Sequence, residues 1–222
     1  MKLLDVCEFV VDCPHSTARD EGSGYPLIRT PNIGRGRLKF DGVHRVSYET
    51  YIERNVRATP QKDDLILARE APVGNVAIIK DGQQVCLGQR TVLIRPNKKL
   101  ADPEYLVHYL LSPQMQSVLL NSANGATVSH LNMADIRKLE IVLPDICEQR
   151  KVGGILSAIE DKIEVNVEIN DNLREQRAGH SGWRNRPSGA CSRKVDFDNR
   201  CIRRLPDSEE ALLPNVAMLV AA

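Results

Sequence analysis

Between residues 60 and 95 the apolar residues arrive in short unbroken runs, Leu65-Ile66-Leu67-Ala68, Val76-Ala77-Ile78-Ile79 and Thr91-Val92-Leu93-Ile94, with Gly, Pro, Asn or Asp close by. Runs of four, rich in branched residues and flanked by turn formers, predict buried strands. The same alternation of short apolar runs with turn residues extends from residue 1 to about 145. One stretch departs from it. From Pro103 to Asn121, Leu106, Tyr109, Leu110, Met115, Val118 and Leu119 recur at helical spacing and predict a single helix.

At Pro144 the pattern changes. Glu148 to Gln176 holds no proline, has only Gly153-Gly154 as a weak point, and carries charge at most outward positions, which predicts one long helix of roughly 43 Å at about 1.5 Å per residue. Leu156, Ile163 and Asn170 occupy one heptad position, and Val152, Ile159, Asn166 and Leu173 the other. That 3.5-residue repeat predicts a seam for pairing with a second helix, with the two Asn fixing register. After Gln176 the periodicity is lost until Glu209 to Val220. The expected class is therefore α+β, in three parts: a strand-rich mixed domain over 1–145, a long coiled-coil-type helix over 146–176, and a poorly ordered or aberrant tail over 177–222.

Overall charge changes this picture little. Thirty basic residues stand against twenty-nine acidic ones in 222 residues, so any case for a polyanionic partner rests on local patches. The long helix is no phosphate binder, with four basic against seven acidic residues from Ile146 to Gln176. The tail, with eight basic against five acidic residues from Arg177 on, reads as a solvated segment or as a basic arm. No run approaches the roughly 20 apolar residues of a membrane helix, and the start lacks a secretory apolar stretch, so a cytoplasmic location with no membrane partner is expected. Six cysteines lie without any Cys-x-x-Cys pair, a spacing that suits reduced thiols and neither a disulfide framework nor a zinc site.

The densest patch spans Tyr25 to Arg57, where seven basic residues face three acidic ones. Within it Arg29, Thr30, Asn32, Arg35 and Arg37 stand among turn residues, and Arg and Asn have the fork and amide geometry to read guanine and adenine edges. A solvated turn-rich surface explains the same letters. Arg69, Gln89 and Arg90 sit beside predicted strands, where binding residues are commonly placed. Thr127, Ser129, His130 and Asn132 follow the predicted helix and suit phosphate or base contacts, although His130 taken alone reads as structural. Pro144-Asp145 with Glu160-Asp161-Lys162 spells a metal-dependent nuclease pattern, but the last three fall inside the long helix and not on a strand beside the Asp. No phosphate loop, nucleophile elbow or Asn-Pro-Pro methyltransferase motif is present.

Seven segments in order carry a further signal: Asp12-Cys13-Pro14-His15-Ser16-Thr17, Tyr25 to Ile33, Asp64 to Gly74, Cys86 to Arg90, Gly125 to Leu131, Leu143 to Gln149, and Ile155 to Glu164. Together they resemble the specificity subunits of type I restriction-modification enzymes. The resemblance implies a chain without catalysis or cofactor of its own, whose target-recognition domain reads half of a bipartite site on double-stranded DNA. It implies partners as well: methyltransferase (M) subunits bringing S-adenosylmethionine, and a restriction (R) subunit bringing ATP- and Mg-dependent cleavage. Such chains usually carry two recognition domains and two helices. This one shows one of each, so a second copy or another specificity chain is expected, and the break after Gln176 resembles a truncated or frameshifted gene. The alternatives are a nuclease or DNA methyltransferase acting alone, or an inactive remnant.

Overall fold

The computed structural model describes residues 1–123 and 129–181. Its architecture is α+β, as the sequence pattern predicts. The three apolar runs become β4 (Leu65–Ala68), β5 (Val76–Ile78) and β7 (Thr91–Pro96). With β1 (Cys7–Asp12) they form an antiparallel sheet in the order β1-β7-β4-β5. The runs are unbroken because both sheet faces are covered. Leu65, Leu67, Val76, Ile78, Val92 and Ile94 point into one apolar cluster, and their neighbours Ile66, Ala68, Ala77 and Leu93 into another. A second sheet joins β3 (His44–Val46), β2 (Tyr25–Ile28) and β6 (Cys86–Leu87) in that order, with β2 and β6 parallel. Helix α1 (Tyr48–Arg54), capped by the Ser47 hydroxyl, was not anticipated.

The helix expected over residues 103–121 is two helices, α2 (Pro103–Leu111) and α3 (Pro113–Ser122). Proline cannot donate to the carbonyl four residues back, and it drives its predecessor to extended backbone. Ser112 accordingly has ψ 149° and ends one helix while capping the next, its hydroxyl accepting from Met115 N at 3.4 Å. The break leaves Val118 exposed while Met115 and Leu119 are buried. After α4 (Met133–Lys138) comes the long helix α5 (Ile146–Ser181), 36 residues and so about 54 Å. Its start is capped by the Asp145 carboxylate, which accepts from Cys147 N at 2.9 Å and Glu148 N at 3.2 Å. Among the described residues no helix is long and apolar enough to cross a membrane.

The first turns of α5 are fastened to α2. Gln149, 1% exposed, accepts from Asp102 N at 3.0 Å and donates to Leu100 O at 3.1 Å and Pro144 O at 2.9 Å. Val152 is buried in the same face. A Cβ at Gly153 would lie 2.7 Å from both Asp102 Oδ1 and Tyr105 N, so the residue that reads as a helix weakness is where the two helices come closest. One turn on, Arg37 Nη2 donates to Asp161 Oδ1 at 2.8 Å and Ser157 Oγ at 3.2 Å, while Lys80 Nζ reaches Glu104 Oε1 at 2.7 Å and the same hydroxyl at 3.2 Å. From Asp161 to Gln176 every side chain is exposed.

Candidate nucleic-acid interface

Strand polarity decides which loops meet. The registers Asp12↔Val92, Ala68↔Thr91 and Leu67↔Val76 place the ends of β1 and β4 and the starts of β5 and β7 at one edge of the four-stranded sheet. Backbone bonds knit the emerging loops: Cys13 N to Thr91 O at 3.2 Å, Arg69 N to Arg90 O at 2.9 Å, and Leu131 N to Arg69 O at 3.0 Å. Gly88 N, donating to Ile28 O at 2.7 Å, brings the end of β2 to the same place. Segments around residues 13–17, 29–30, 69–75, 88–90 and 129–132 are thereby gathered from across the chain.

The candidate residues divide by what holds them. Arg90 is presented outward, with a side chain 60% exposed and 3.0 Å from Glu70 Oε2, on backbone at φ 65°. That left-handed conformation in a non-glycine residue marks a turn fixed by its surroundings. Gln89 Nε2 donates to His15 O. Arg69 is mostly turned inward, donating to Leu131 O and to Asp12 Oδ2, each at 2.8 Å. Arg29 packs over Gly88, where a Cβ would sit 2.7 Å from Arg29 Cγ. Thr30 lies in a 3-10 turn beside it. Ser129 is exposed, His130 half-buried, and Asn132 Nδ2 donates to Asp135 Oδ2 at 3.2 Å before α4. Thr127 lies outside the described residues.

Three of the residues selected from the basic run are placed elsewhere. Asn32 is 4% exposed and spends its amide on the Arg29 N–H and the Lys39 carbonyl, closing its own turn. Arg35 donates to Leu111 O at 3.2 Å, and Arg37 belongs to the fastening of α5. In the seam of α5, Val152 is turned to α2 and Leu156 is half-buried, whereas Ile159, Ile163 and Leu173 are about half exposed and Asn166 and Asn170 are exposed. Ile155, outside the heptad reading, joins them at 49% exposure, one turn before Ile159.

Other side chains at the sheet edge are visible in the sequence only as charge or as motif letters. The Asp12 carboxylate receives Arg69 and lies 3.5 Å from His15 Nε2. Arg57 donates to Asp12 O at 3.0 Å and Cys13 O at 3.1 Å, and Arg137 to Val10 O at 2.9 Å. Arg54 is buried behind them. The buried thiols of the domain are poor nucleophiles, since burial pushes Cys13 up and raises Cys86 to about 11 and, at the opposite end of β1, Cys7 to about 12. The nuclease letters do not converge either. Asp145 caps the start of α5 and Glu160 lies fifteen residues along it, roughly 22 Å away. What remains at the edge is an arginine-rich surface on a rigid frame, suited to recognising a shaped anion.

Comparison with known proteins settles the family. Residues 1–175 match the type I restriction modification DNA specificity domain. The chain belongs to that family. Among similar members, the EcoBI specificity subunit of Escherichia coli is 26% identical over 133 residues, 60% of this chain and 28% of its own. The MjaIX specificity subunit of Methanocaldococcus jannaschii is 28% identical over 178 residues, 78% and 40% of the two chains. The S subunit of M. genitalium shares the fold, with TM-score 0.56 and 17% identity over 81% of this chain and 44% of that one. So does a chain from a type I restriction-modification system studied for its assembly and conformational transition, with TM-score 0.51 and 21% identity over 79% and 41%. This specificity domain thus spans well under half the length of the relatives it matches.

Proposed function

We propose that this chain reads one half of a bipartite sequence on double-stranded DNA as the specificity subunit, or half-subunit, of a type I restriction-modification complex in the cytoplasm. The carrying observation is the convergence of five separated segments at one sheet edge, with Arg90 and Gln89 set on a fixed turn. Phosphate contacts position such a surface, and side chains reaching base edges specify it. In this reading residues 1–145 form the recognition domain and α5 is the docking element. Ile155, Ile159, Ile163 and Leu173, still half exposed, offer a face to a second copy, another specificity chain or a methyltransferase subunit. Methylation and cleavage, with S-adenosylmethionine, ATP and Mg, belong to the M and R partners, and the chain itself supplies no catalytic group. Selection of bound duplexes from a random pool, by this chain alone and with a methyltransferase subunit, tests the reading. A recurring sequence is the expected outcome, and a pool that stays random under both conditions refutes it.

A further inference from the structure

The DNA-facing edge conceals one charged group that its surface chemistry leaves unexplained. Arg54, in the last turn of α1, is only 6% exposed. Two other inward-turned arginines are paired with acids, Arg69 with Asp12 at 2.8 Å and Arg95 with Asp64 at 2.7 Å. Arg54 has neutral oxygens instead: Nε donates to Leu87 O at 2.7 Å, Nη2 to Ser16 O at 3.0 Å, and Nη1 to Ser16 Oγ at 3.4 Å. Among the described residues no carboxylate lies within ion-pair distance of it. A buried guanidinium without a counterion carries a desolvation cost that an apolar residue of similar size would not, so the fork must do something a hydrophobe cannot.

What it does is tie three segments at one point. The Leu87 carbonyl immediately precedes the turn Gly88-Gln89-Arg90, and Ser16 belongs to the loop whose His15 carbonyl accepts from Gln89. We infer that Arg54 is a positioning residue for base reading, holding the Gln89–Arg90 turn against the residue 15–17 loop so that both side chains meet the duplex at a fixed depth. This rests on the proposed DNA reading and extends it to a residue that touches no DNA. A planar fork suits the task because its donors diverge in one plane at fixed angles, which a lysine cannot reproduce.

The test uses the full chain and two variants, Arg54→Lys and Arg54→Gln. Amide hydrogen exchange without DNA reads the positioning itself. The amides of Gly88 and Arg69, which donate to Ile28 O at 2.7 Å and to the Arg90 carbonyl at 2.9 Å, should exchange faster in both variants while the strand amides of β4 and β7 keep wild-type protection, and unchanged exchange at both overturns the inference. Competition between the duplex that the wild type selects and its single-base variants reads the consequence. Discrimination should fall about tenfold at the base pairs that Arg90→Ala also affects, the size expected for one lost bidentate contact, with other positions and non-specific affinity unchanged. A uniform loss over all duplexes overturns it, as does failure of both variants to fold, since Arg54 would then serve folding alone. If the wild type selects no sequence while the turn still loosens, the DNA reading fails and the positioning stands.

Discussion

Replacing Ile159 and Ile163 together by Asp should separate this chain from whatever α5 binds while leaving its recognition domain folded. Ile155, Ile159, Ile163 and Leu173 are 49%, 48%, 52% and 52% exposed. About half of each side chain is therefore still available to bury, and pairing contributes about 1 kcal/mol for each, not the roughly 1.5–3 of a side chain buried from full exposure. Two such faces together supply about 8 kcal/mol. Association costs roughly 4 kcal/mol or more in lost translational and rotational freedom, and Asn166 and Asn170 lower the yield further. The balance is narrow, so removing one pair of isoleucines and placing unpaired carboxylates in the seam suffices to open it.

A net gain of about 4 kcal/mol corresponds to a dissociation constant of about 1 mM, so sedimentation at concentrations approaching millimolar, alone and with a methyltransferase subunit, checks this. Wild type should sediment as a dimer or mixed complex and the double variant as a monomer. The variant's melting temperature should stay close to that of wild type, because Gln149, Val152, Gly153 and the Arg37 contacts fasten the helix independently of the seam. A double variant that still assembles, or a wild type monomeric with every candidate partner, refutes the reasoning.

Arg37→Ala should lower thermal stability by about 1–2 kcal/mol, a value reduced because its partner Asp161 is 58% exposed, and should leave DNA affinity unchanged in a filter-binding titration. Loss of affinity there would return Arg37 to the DNA surface. Arg90→Ala should cost about 1–3 kcal/mol for the selected sequence at one or two base pairs, whereas Arg69→Ala should weaken all duplexes and lower the melting temperature, because it takes the guanidinium from the Asp12 carboxylate and from the Leu131 carbonyl. His108 titrates below its ordinary range, chiefly through burial and then through Arg37 and Lys80, with Glu104 opposing. A depressed histidine means that the unfolded chain takes up the proton first. Its contribution is therefore intact above about pH 6.5 and is lost as pH falls toward the folded value. Denaturant midpoints between pH 7 and 5 should show a decline that His108→Gln flattens.

Strand positions were legible because doubly covered strands have no polar face to break the run, as Ile66 and Leu67 show by entering opposite clusters. The break at Ser112 was legible in principle, since Pro113 stands inside the proposed helix, but the apolar residues at helical spacing on either side outweighed it. The arginines were the harder problem. Arg29, Arg37, Arg54 and Arg69 are the same letter in similar polar surroundings, and only the fold shows that Arg37 fastens a helix, Arg69 and Arg54 brace loops, and Arg90 faces outward. Charge density marked the region as a patch and could not divide it, because burial depends on which strands pair across dozens of residues. Asn32 illustrates the same limit: its amide has base-reading geometry and is consumed by its own turn.

The division of labour among these residues links the two ends of the molecule. The Gly88-Gln89-Arg90 turn is fixed to the edge of the four-stranded sheet through Arg69 and Thr91. Helix α2 packs its Leu106, Val107 and Leu110 on one face of that sheet. Helix α5 in turn is fastened to α2 by the Gln149 amide and the close approach at Gly153, and to the other flank by Arg37 and Lys80. Each step along this path up to Asp161 is a packed or hydrogen-bonded contact. A partner that grips the exposed half of α5 therefore holds the proposed DNA-reading edge at a set distance and angle. In the proposed reading, precision in an assembly then depends on interior contacts such as Gly153 against Asp102 as much as on Arg90 at the duplex, because a lever can aim only as well as its root is fixed.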